Sequence, residues 1–440
     1  MKRYWISILF LAILPLCIFA DPFYYGGPAR LLGLGGQRAA VDDIASGSDS
    51  YFYGFTSAIF TRPQTNVVLL SPGLTTLLPD PGAVNDFGDM NLYDISGEEL
   101  GMVYWAGQDT AITVKPYAGF TSYYKAGGLN AEFAQRFLGR FSAALTGGYF
   151  LYDDTDSKQL LNKPFYNLSL SLLPETKNGW VFSLAAGNRV KSAYNIPAVQ
   201  ENIRLDAGAS MNAANDIEFV LRLGTGLGYS GYSFDPSTSF TTLKKYVNDR
   251  LKGADAGLLL RKTLGLVVLG IKANASYVGE AGTDDIMESL YSSAGVVIKL
   301  SDSVSIPLEA RYSGTFSEKG YNNQGYDATS NFYTLKLGGE YNISSALALR
   351  LAVDYMLFWF TYSNIVPDLV TLIQPTTGAW GTLNNPIGTR LGIYAGAGYK
   401  DGAFEFNLGA GYFRQGQVPE SAFLLKFGTL TATSDIKYYY

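Results

Sequence analysis

The chain of 440 residues contains no histidine and a single cysteine, Cys17. The absence of histidine excludes Ser-His and Cys-His nucleophile pairs, histidine general bases and histidine-ligated zinc sites. A chain with one cysteine also forms no internal disulfide, so its stability rests on the fold itself. We therefore expect no catalytic residues, no metal site and no cofactor, and we predict that the protein is not an enzyme.

Charge is also sparse. Charged residues make up only 16% of the chain, and the formal net charge is −5 at pH 7. The sequence has no basic patch for nucleic acid and no acidic tail. Aromatic residues instead reach 14%, with 32 tyrosines and 26 phenylalanines, and glycine contributes 49 residues. An exported chain of this composition is typical of an all-β outer-membrane protein, with an ordinary secreted β-protein as the alternative.

The one long hydrophobic run lies at the N-terminus. Two basic residues precede an apolar run over 4–19, and the small residue Ala20 follows it. This pattern predicts a secretory signal peptide over 1–20, cleaved after Ala20. A short membrane anchor is one alternative. A lipoprotein signal at Cys17 is another, although Leu16 is bulkier than the residue that such signals place before the cysteine.

The rest of the chain alternates apolar and polar residues with a period of two. In the segment 347–359, apolar residues share one face, while Arg350 and Asp354 point to the other. The same alternation recurs in four other segments: 217–229, 304–316, 333–343 and 404–412. Such strands of about ten residues, with aromatic residues at their ends, are long enough to cross a bilayer at a tilt. A soluble sandwich, the alternative, has strands of about five or six residues.

Short and long connections alternate along the chain. Tight turns are predicted at 107–109, 176–179, 213–216, 301–303, 342–345 and 400–402. Long links are predicted at 231–254, 280–286, 318–330, 364–388 and 417–424. This asymmetry is typical of outer-membrane barrels, which have tight periplasmic turns and longer external loops. We predict an all-β fold, a transmembrane antiparallel up-and-down β-barrel of roughly 14–18 strands over residues 64–440.

The segment 21–63 does not alternate and mixes glycines, small residues and an acidic pair. We predict that it folds inside the barrel as an N-terminal plug, because a lumen this wide would otherwise leak. A flexible leader is the alternative, while a phosphate-binding loop is disfavoured because no strand precedes the glycines. The predicted plug residues are Gly33, Gly35, Gly36, Asp42, Asp43, Gly54, Phe55 and Thr56.

Four short stretches of this region carry a family resemblance. They are Gly-Leu-Gly-Gly at 33–36, the alanine-rich turn with its acidic pair at 39–45, the aromatic stretch 51–53, and Arg-Pro at 62–63 before the first strand. The region resembles the plug of the FadL family of outer-membrane long-chain fatty acid transporters. The family has Asn-Pro-Ala where this chain has Gly-Phe-Thr at 54–56.

The resemblance implies passive uptake of hydrophobic small molecules such as long-chain fatty acids. The molecule would land in an apolar groove among external loops, pass to a second site against the plug, and leave sideways through a wall opening. Two alternatives stay open. One is a general diffusion porin for small polar solutes, and the other is a non-transport outer-membrane scaffold, adhesin or secretion component.

Charged residues on the inward face of the strands are candidates for a ligand path through the lumen. Arg350 or Arg390 could bind a carboxylate ligand there. Alternatively, opposite charges pair across neighbouring strands and fill the barrel. The candidate path consists of Arg222, Glu218, Arg350, Asp354, Lys336, Glu340, Arg390 and Glu405.

Two predicted loops carry distinctive residues. The loop 364–388 is rich in apolar side chains that should face water, which usually marks ligand or membrane contact. A small helix packed over the barrel mouth is the alternative. The segment 243–253 is predicted to form a short basic loop helix near anionic lipid headgroups. The apolar residues of the first loop are Ile365, Val366, Leu369, Leu372 and Trp380.

The chain ends in three tyrosines. The alternation over 430–440 turns Tyr438 and Tyr440 toward lipid, and a terminal aromatic resembles the signal that the barrel-assembly machinery recognises. This places the C-terminus in the periplasm and the protein in the outer membrane of a Gram-negative-type envelope. The expected partners are the outer-membrane lipid bilayer, a hydrophobic small-molecule ligand and the barrel-assembly machinery, with no nucleic acid.

Overall fold

The computed structural model contains one short helix and one sheet of 21 strands within the part of the chain that it describes. In that part, no helix is both long and apolar enough to cross a bilayer. The signal peptide predicted over 1–20 lies outside it. The described residues are 29–34, 36–37, 39–40, Ala58, Phe60, 66–70, 73–78, 93–97, 101–121, 124–154, 159–175, 179–193, 198–213, 217–234, 243–279, 286–317, 327–363, 383–384, 388–415 and 428–440.

The helix, α1, covers Ala29–Gly33. The strands are β1 Val67–Leu70, β2 Gly73–Leu78, β3 Tyr93–Gly97, β4 Gly101–Ala106, β5 Thr110–Thr121, β6 Tyr124–Phe137, β7 Phe141–Asp154, β8 Gln159–Leu172, β9 Trp180–Ala193, β10 Ala198–Ala213, β11 Ile217–Phe234, β12 Leu243–Leu264, β13 Val267–Gly279, β14 Ile286–Lys299, β15 Val304–Ser317, β16 Asp327–Asn342, β17 Leu347–Ser363, β18 Leu383–Asn384, β19 Gly388–Asp401, β20 Phe404–Gln415 and β21 Gly428–Tyr439. Strands β5 to β17 have 12 to 22 residues, which is enough to cross a bilayer at a tilt.

The sheet closes on itself. Each strand pairs antiparallel with its neighbours, and β1 also pairs with β21, so the ring has no free edge. Three pairs of segments continue one another along a single partner: β1 and β2 along β21, β3 and β4 along β5, and β18 and β19 along β17. Counting each such pair once leaves eighteen wall strands of the 21 described. The predicted up-and-down β-barrel is confirmed, and eighteen lies within the predicted range.

The two faces of the wall differ in chemistry as the alternation predicts. In β16, Leu335 and Leu337 are 64% and 47% exposed on the outer face, whereas Thr334 and Lys336 are buried on the inner face. A sheet with its apolar side chains outward and its charged side chains inward is stable only when lipid surrounds it. The wall is therefore a membrane-spanning surface.

The tight connections share one end of the barrel, called the turn rim below. Backbone hydrogen bonds join neighbouring turns there, from Lys299 N to Leu266 O and from Lys400 N to Ala346 O, both 2.8 Å. The C-terminal Tyr440 lies at the same rim. The predicted turns at 107–109, 301–303, 342–345 and 400–402 are confirmed, while those at 176–179 and 213–216 fall largely outside the described residues.

The sequence interpretation missed two further turns on this rim, 138–140 and 265–266. Gly265 has φ 58°, in the left-handed region that two-residue hairpin turns require. The leucines on either side of Gly265 concealed the turn, because turns usually carry polar residues.

The helix predicted at 243–253 is wrong, and so is the link predicted over 231–254. Strand β11 continues to Phe234 and β12 begins at Leu243, and these two residues are paired. The partner strand supplies backbone hydrogen bonds along the whole segment, whereas an isolated helix of about eleven residues is marginal in water. The link 318–330 is also shorter than predicted, because β16 begins at Asp327.

Candidate functional site

A row of alternating charges crosses the inner face of the wall. Glu218, Arg261, Glu309, Lys336 and Asp354 occupy β11, β12, β15, β16 and β17 at matched register positions. Arg261 Nη1 lies 2.8 Å from Glu218 Oε2. Lys336 is buried and lies opposite the two carboxylate residues on its neighbouring strands. Opposite charges on adjacent strands offset the cost of holding each charge away from water.

The row is interrupted by two glycines, and residue 39 of the N-terminal segment fills the gap. Gly270 and Gly295, on β13 and β14, stand between Arg261 and Glu309. The N–H of Ala39 donates to Glu309 Oε2 at 2.7 Å, and the carbonyl of Ala39 accepts from Arg261 Nε at 3.1 Å. A Cβ on Gly270 would overlap the Ala39 carbonyl. The wall is therefore shaped and charged to receive this stretch of backbone.

Helix α1 is bound to the wall by charged side chains of β16 and β21. Arg30 makes a two-point contact with Glu340, with N–O distances of 2.9 and 3.0 Å. Arg350 Nε contacts the same carboxylate at 2.6 Å. The N–H of Ala29 donates to Asp435 Oδ1 at 2.5 Å. Fork-shaped guanidinium–carboxylate contacts of this kind fix both position and orientation.

The apolar face of α1 packs on the wall. Leu32 is buried in a cluster with Tyr394 and Phe413 of β19 and β20. The backbone of Gly33 lies against Gly396, and a Cβ on Gly33 would sit 3.0 Å from the Gly396 Cα. Glycine on both sides permits this close approach of two backbones.

Between α1 and Ala39, the segment remains in contact with the wall. Gly36 has φ 69°, which favours glycine, and its carbonyl accepts from Arg311 Nη2 at 2.9 Å. Gln37 is buried against Gly338 of β16. Two predicted plug residues, Gly33 and Gly36, therefore touch the barrel wall.

Ala58 and Phe60 contact the wall on a different side of the lumen, at β5 to β9. Arg136 places its guanidinium carbon 5.8 Å from the ring centre of Phe60. Ala58 and Phe60 also pack with buried residues of β5 to β9 and the turn after β8: Ala111, Ala134, Ala144, Leu173, Val181 and Ala185.

The other candidate path residues are also engaged within the wall. Asp354 contacts Arg390 at 3.3 Å and accepts a hydrogen bond of 2.7 Å from the hydroxyl of Tyr394. Glu405 contacts Lys437 at 3.2 Å. The eight path residues all face the lumen, but these contacts divide them among separate ion pairs rather than gathering them into one pocket.

Arg222 belongs to a further cluster that the sequence interpretation did not single out. Its Nη2 lies 2.9 Å from Asp206 Oδ1, and Arg204 contacts both Asp206 and Asp255. The alternation along β10 and β12 places these side chains on the inner face of the wall. It does not show which charges pair across strands.

The remaining predicted site residues divide into two groups. Tyr438 and Tyr440 are exposed at the turn rim, and their rings stack with centres 6.5 Å apart. The others lie outside the described residues: Gly35, Asp42, Asp43, Gly54, Phe55, Thr56, Ile365, Val366, Leu369, Leu372 and Trp380.

No protein-family model and no curated protein matches the chain. Among solved structures, it is similar to a loop-deletion mutant of OmpT, an outer-membrane protein of Vibrio cholerae, with TM-score 0.40 and 11% identity over 85% of this chain and 98% of that one. It is also similar to the CymD monoaromatic hydrocarbon channel, with TM-score 0.36 and 12% identity over 94% and 97% of the two chains. An anion-selective porin from Comamonas acidovorans gives TM-score 0.37 and 10% identity over 86% and 98%. At such low identities and TM-scores, these likenesses carry no argument about what the chain binds.

Proposed function

We propose that this protein is an outer-membrane channel for the passive uptake of hydrophobic small molecules such as long-chain fatty acids, with no enzymatic activity. In this proposal residues 21–63 form its plug. The observation that carries the proposal is the attachment of residues 29–40 to the inner wall from β12 to β21. A barrel of about sixteen to eighteen strands encloses an aqueous channel unless something fills it. A segment bound this tightly along the lumen wall is suited to stopping that leak.

The same architecture supports a location in the outer membrane and an orientation of the turn rim toward the periplasm. Closed barrels of this size span outer membranes, and their short turns face the periplasm. The turn rim and the C-terminus would then be periplasmic, with a signal peptide removed after Ala20. Tyr438 and Tyr440 would serve as the assembly signal at that rim.

A ligand site against the plug has a candidate cavity. It has a volume of about 510 Å³ and lies between the N-terminal segment and β11 to β16 near the turn rim. Leu34 and Val297 supply apolar surface, while most of the lining is polar or charged and includes Arg30, Arg261, Glu218 and Glu340. This volume is in the usual range for small-molecule sites. The apolar residues of the loop 364–388 would form the external landing site.

The sideways exit has a candidate place beside the closing strand. Among the described residues, β1 pairs with β4 over Val67–Leu70, and β2 pairs with β3 at Thr75 and Thr76. Between the Gly97–Ala118 and Val103–Val114 pairs, the chain from β3 to β4 has two more residues than β5 opposite. A mismatch of this kind interrupts regular strand pairing. A hydrophobic molecule could leave into lipid there.

A deletion strain tests the proposal directly. Uptake of a fluorescent long-chain fatty acid should fall when the gene is deleted and recover with the intact chain, while uptake of a small sugar should not change. A strain whose sugar uptake falls instead would identify a porin. Normal uptake of both compounds would point to a scaffold, adhesin or secretion role.

A general diffusion porin is the second candidate, because the inner wall is charged. Glu218, Arg261, Glu309 and Lys336 form part of a row of both signs, which is a surface that suits a water-filled lumen. A porin would conduct steadily in planar bilayers, whereas a plugged barrel should be nearly silent.

A further inference from the structure

The inner wall of the barrel has two chemically different sides near the turn rim. On β10 to β21, charged side chains form ion pairs and hold residues 29–40. On β5 to β9, the described lumen-facing side chains in the half nearest the turn rim are small and uncharged, apart from Glu132 and the rim residue Arg136. This neutral wall comprises Ala111, Thr113, Asn130, Ala134, Ser142, Ala144, Thr146, Asn167, Ser169, Ser171, Val181, Ser183 and Ala185.

The two sides leave different amounts of room. Arginine, lysine and glutamate extend several atoms into the lumen, whereas serine, threonine and alanine extend only one or two. The wall itself therefore leaves more room along its neutral side. Most of the small side chains there are buried, among them Ser142 and Ser169, each 1% exposed. Other parts of the chain therefore cover them, and the ring of Phe60 packs on the alanines nearest the turn rim.

The N-terminal segment meets the two sides by different means. The described residues of 29–40 pack against wall glycines and bind charged side chains. Moving them would remove hydrogen-bond partners from buried charges such as Glu309 and Arg261. The ring of Phe60 packs on alanines, and the guanidinium of Arg136 lies over the ring. If an entering hydrophobic molecule displaces the ring, no buried charge loses its partner.

We propose that the solute passes along the neutral wall and that the ring of Phe60 closes this route at the turn rim, while residues 29–40 stay attached to the charged wall. This inference rests on the proposed uptake of hydrophobic molecules and specifies the route that they take.

Single cysteines placed on each wall test the route, because the predicted mature chain contains none. Ser169→Cys and Thr146→Cys lie on the neutral wall, and Ser293→Cys and Thr334→Cys are matched buried positions on the charged wall. Each is combined with Phe60→Ala and treated with a charged methanethiosulfonate in planar bilayers. Heat-modifiable migration on gels verifies that each variant is folded.

Phe60→Ala should raise conductance several-fold over the unsubstituted chain, and Phe60→Tyr should not. Modification of the cysteines on the neutral wall should remove most of this current, whereas modification of those on the charged wall should leave the current unchanged. Equal block from both walls, block from the charged wall alone, or no effect of Phe60→Ala would overturn the route. Because current is read without any solute, this outcome is independent of the uptake assay, in which normal fatty acid uptake by the deletion strain would count against the proposed function alone.

Discussion

At the residue scale, the backbone of Ala39 binds the wall at two points. Its N–H donates to Glu309 of β15 and its C=O accepts from Arg261 of β12, and glycines occupy the matching register positions on the two strands between them. A Cβ on Gly270, one of these glycines, would overlap the Ala39 carbonyl. Uncharged backbone thus fills the gap in a row of charges. Both the shape and the polarity of the site select one placement of the backbone.

Gly270→Ala should loosen the segment and raise the current of the protein in planar bilayers. The added Cβ would overlap the Ala39 carbonyl, so the backbone must move. Gly339→Ala is the matched control, because a Cβ there meets nothing within 4 Å. Similar currents from the two variants would argue against a fitted seat for residue 39.

Arg261→Gln should have a related but smaller effect. It removes a hydrogen bond from a charged donor to the Ala39 carbonyl, a contact worth about 1.5–3 kcal/mol. Limited proteolysis from the turn-rim side should then cut the N-terminal segment sooner than in the unsubstituted protein. Lys262→Gln, on the outer face of the same strand, should leave the cleavage rate unchanged.

At the element scale, the alternation along each strand decides which side chains meet lipid. The sequence pattern over 333–343 assigns the faces of β16 correctly, because a shift by one residue would turn Lys336 toward lipid. The pattern fails at 243–253, where the same residues fit a helix and a strand. Pairing with β11 decides that case, and a partner strand is not visible in the segment itself.

Leu335→Lys should destabilise the folded barrel by about 2–4 kcal/mol, the cost of a cation near the centre of the lipid belt. Ile343→Lys, at the turn that follows β16, should cost about 0–1 kcal/mol because it lies near the interface. Urea titration in lipid vesicles measures both values. Equal costs at the two positions would contradict the membrane placement of β16.

Deletion of Tyr440 should lower the amount of protein in the outer membrane. Its N–H donates to the carbonyl of Asn66 across the closing seam at 3.2 Å, and its ring stacks on that of Tyr438. Quantitative blotting of outer-membrane fractions measures the change. Unchanged levels would count against a terminal assembly signal.

At the scale of the whole molecule, the barrel was predictable from the sequence, whereas the contacts of the N-terminal segment with the wall were only partly so. Composition and period-two alternation indicate a closed sheet, because both follow from neighbouring residues along a strand. The contacts of residues 29–40 with the wall join residues 222 to 406 positions apart, as between Ala39 and Arg261 or Ala29 and Asp435. The glycines in 33–36 suggested a plug, but its binding partners depend on the register of distant strands.

The conductance of the intact protein in planar bilayers distinguishes a filled barrel from an open one. The unsubstituted chain should be nearly silent, and deletion of residues 29–40 should produce a steady current, with heat-modifiable migration of both proteins as evidence of folding. An intact chain that conducts as steadily as the deletion variant would contradict a filled barrel and would favour a general porin.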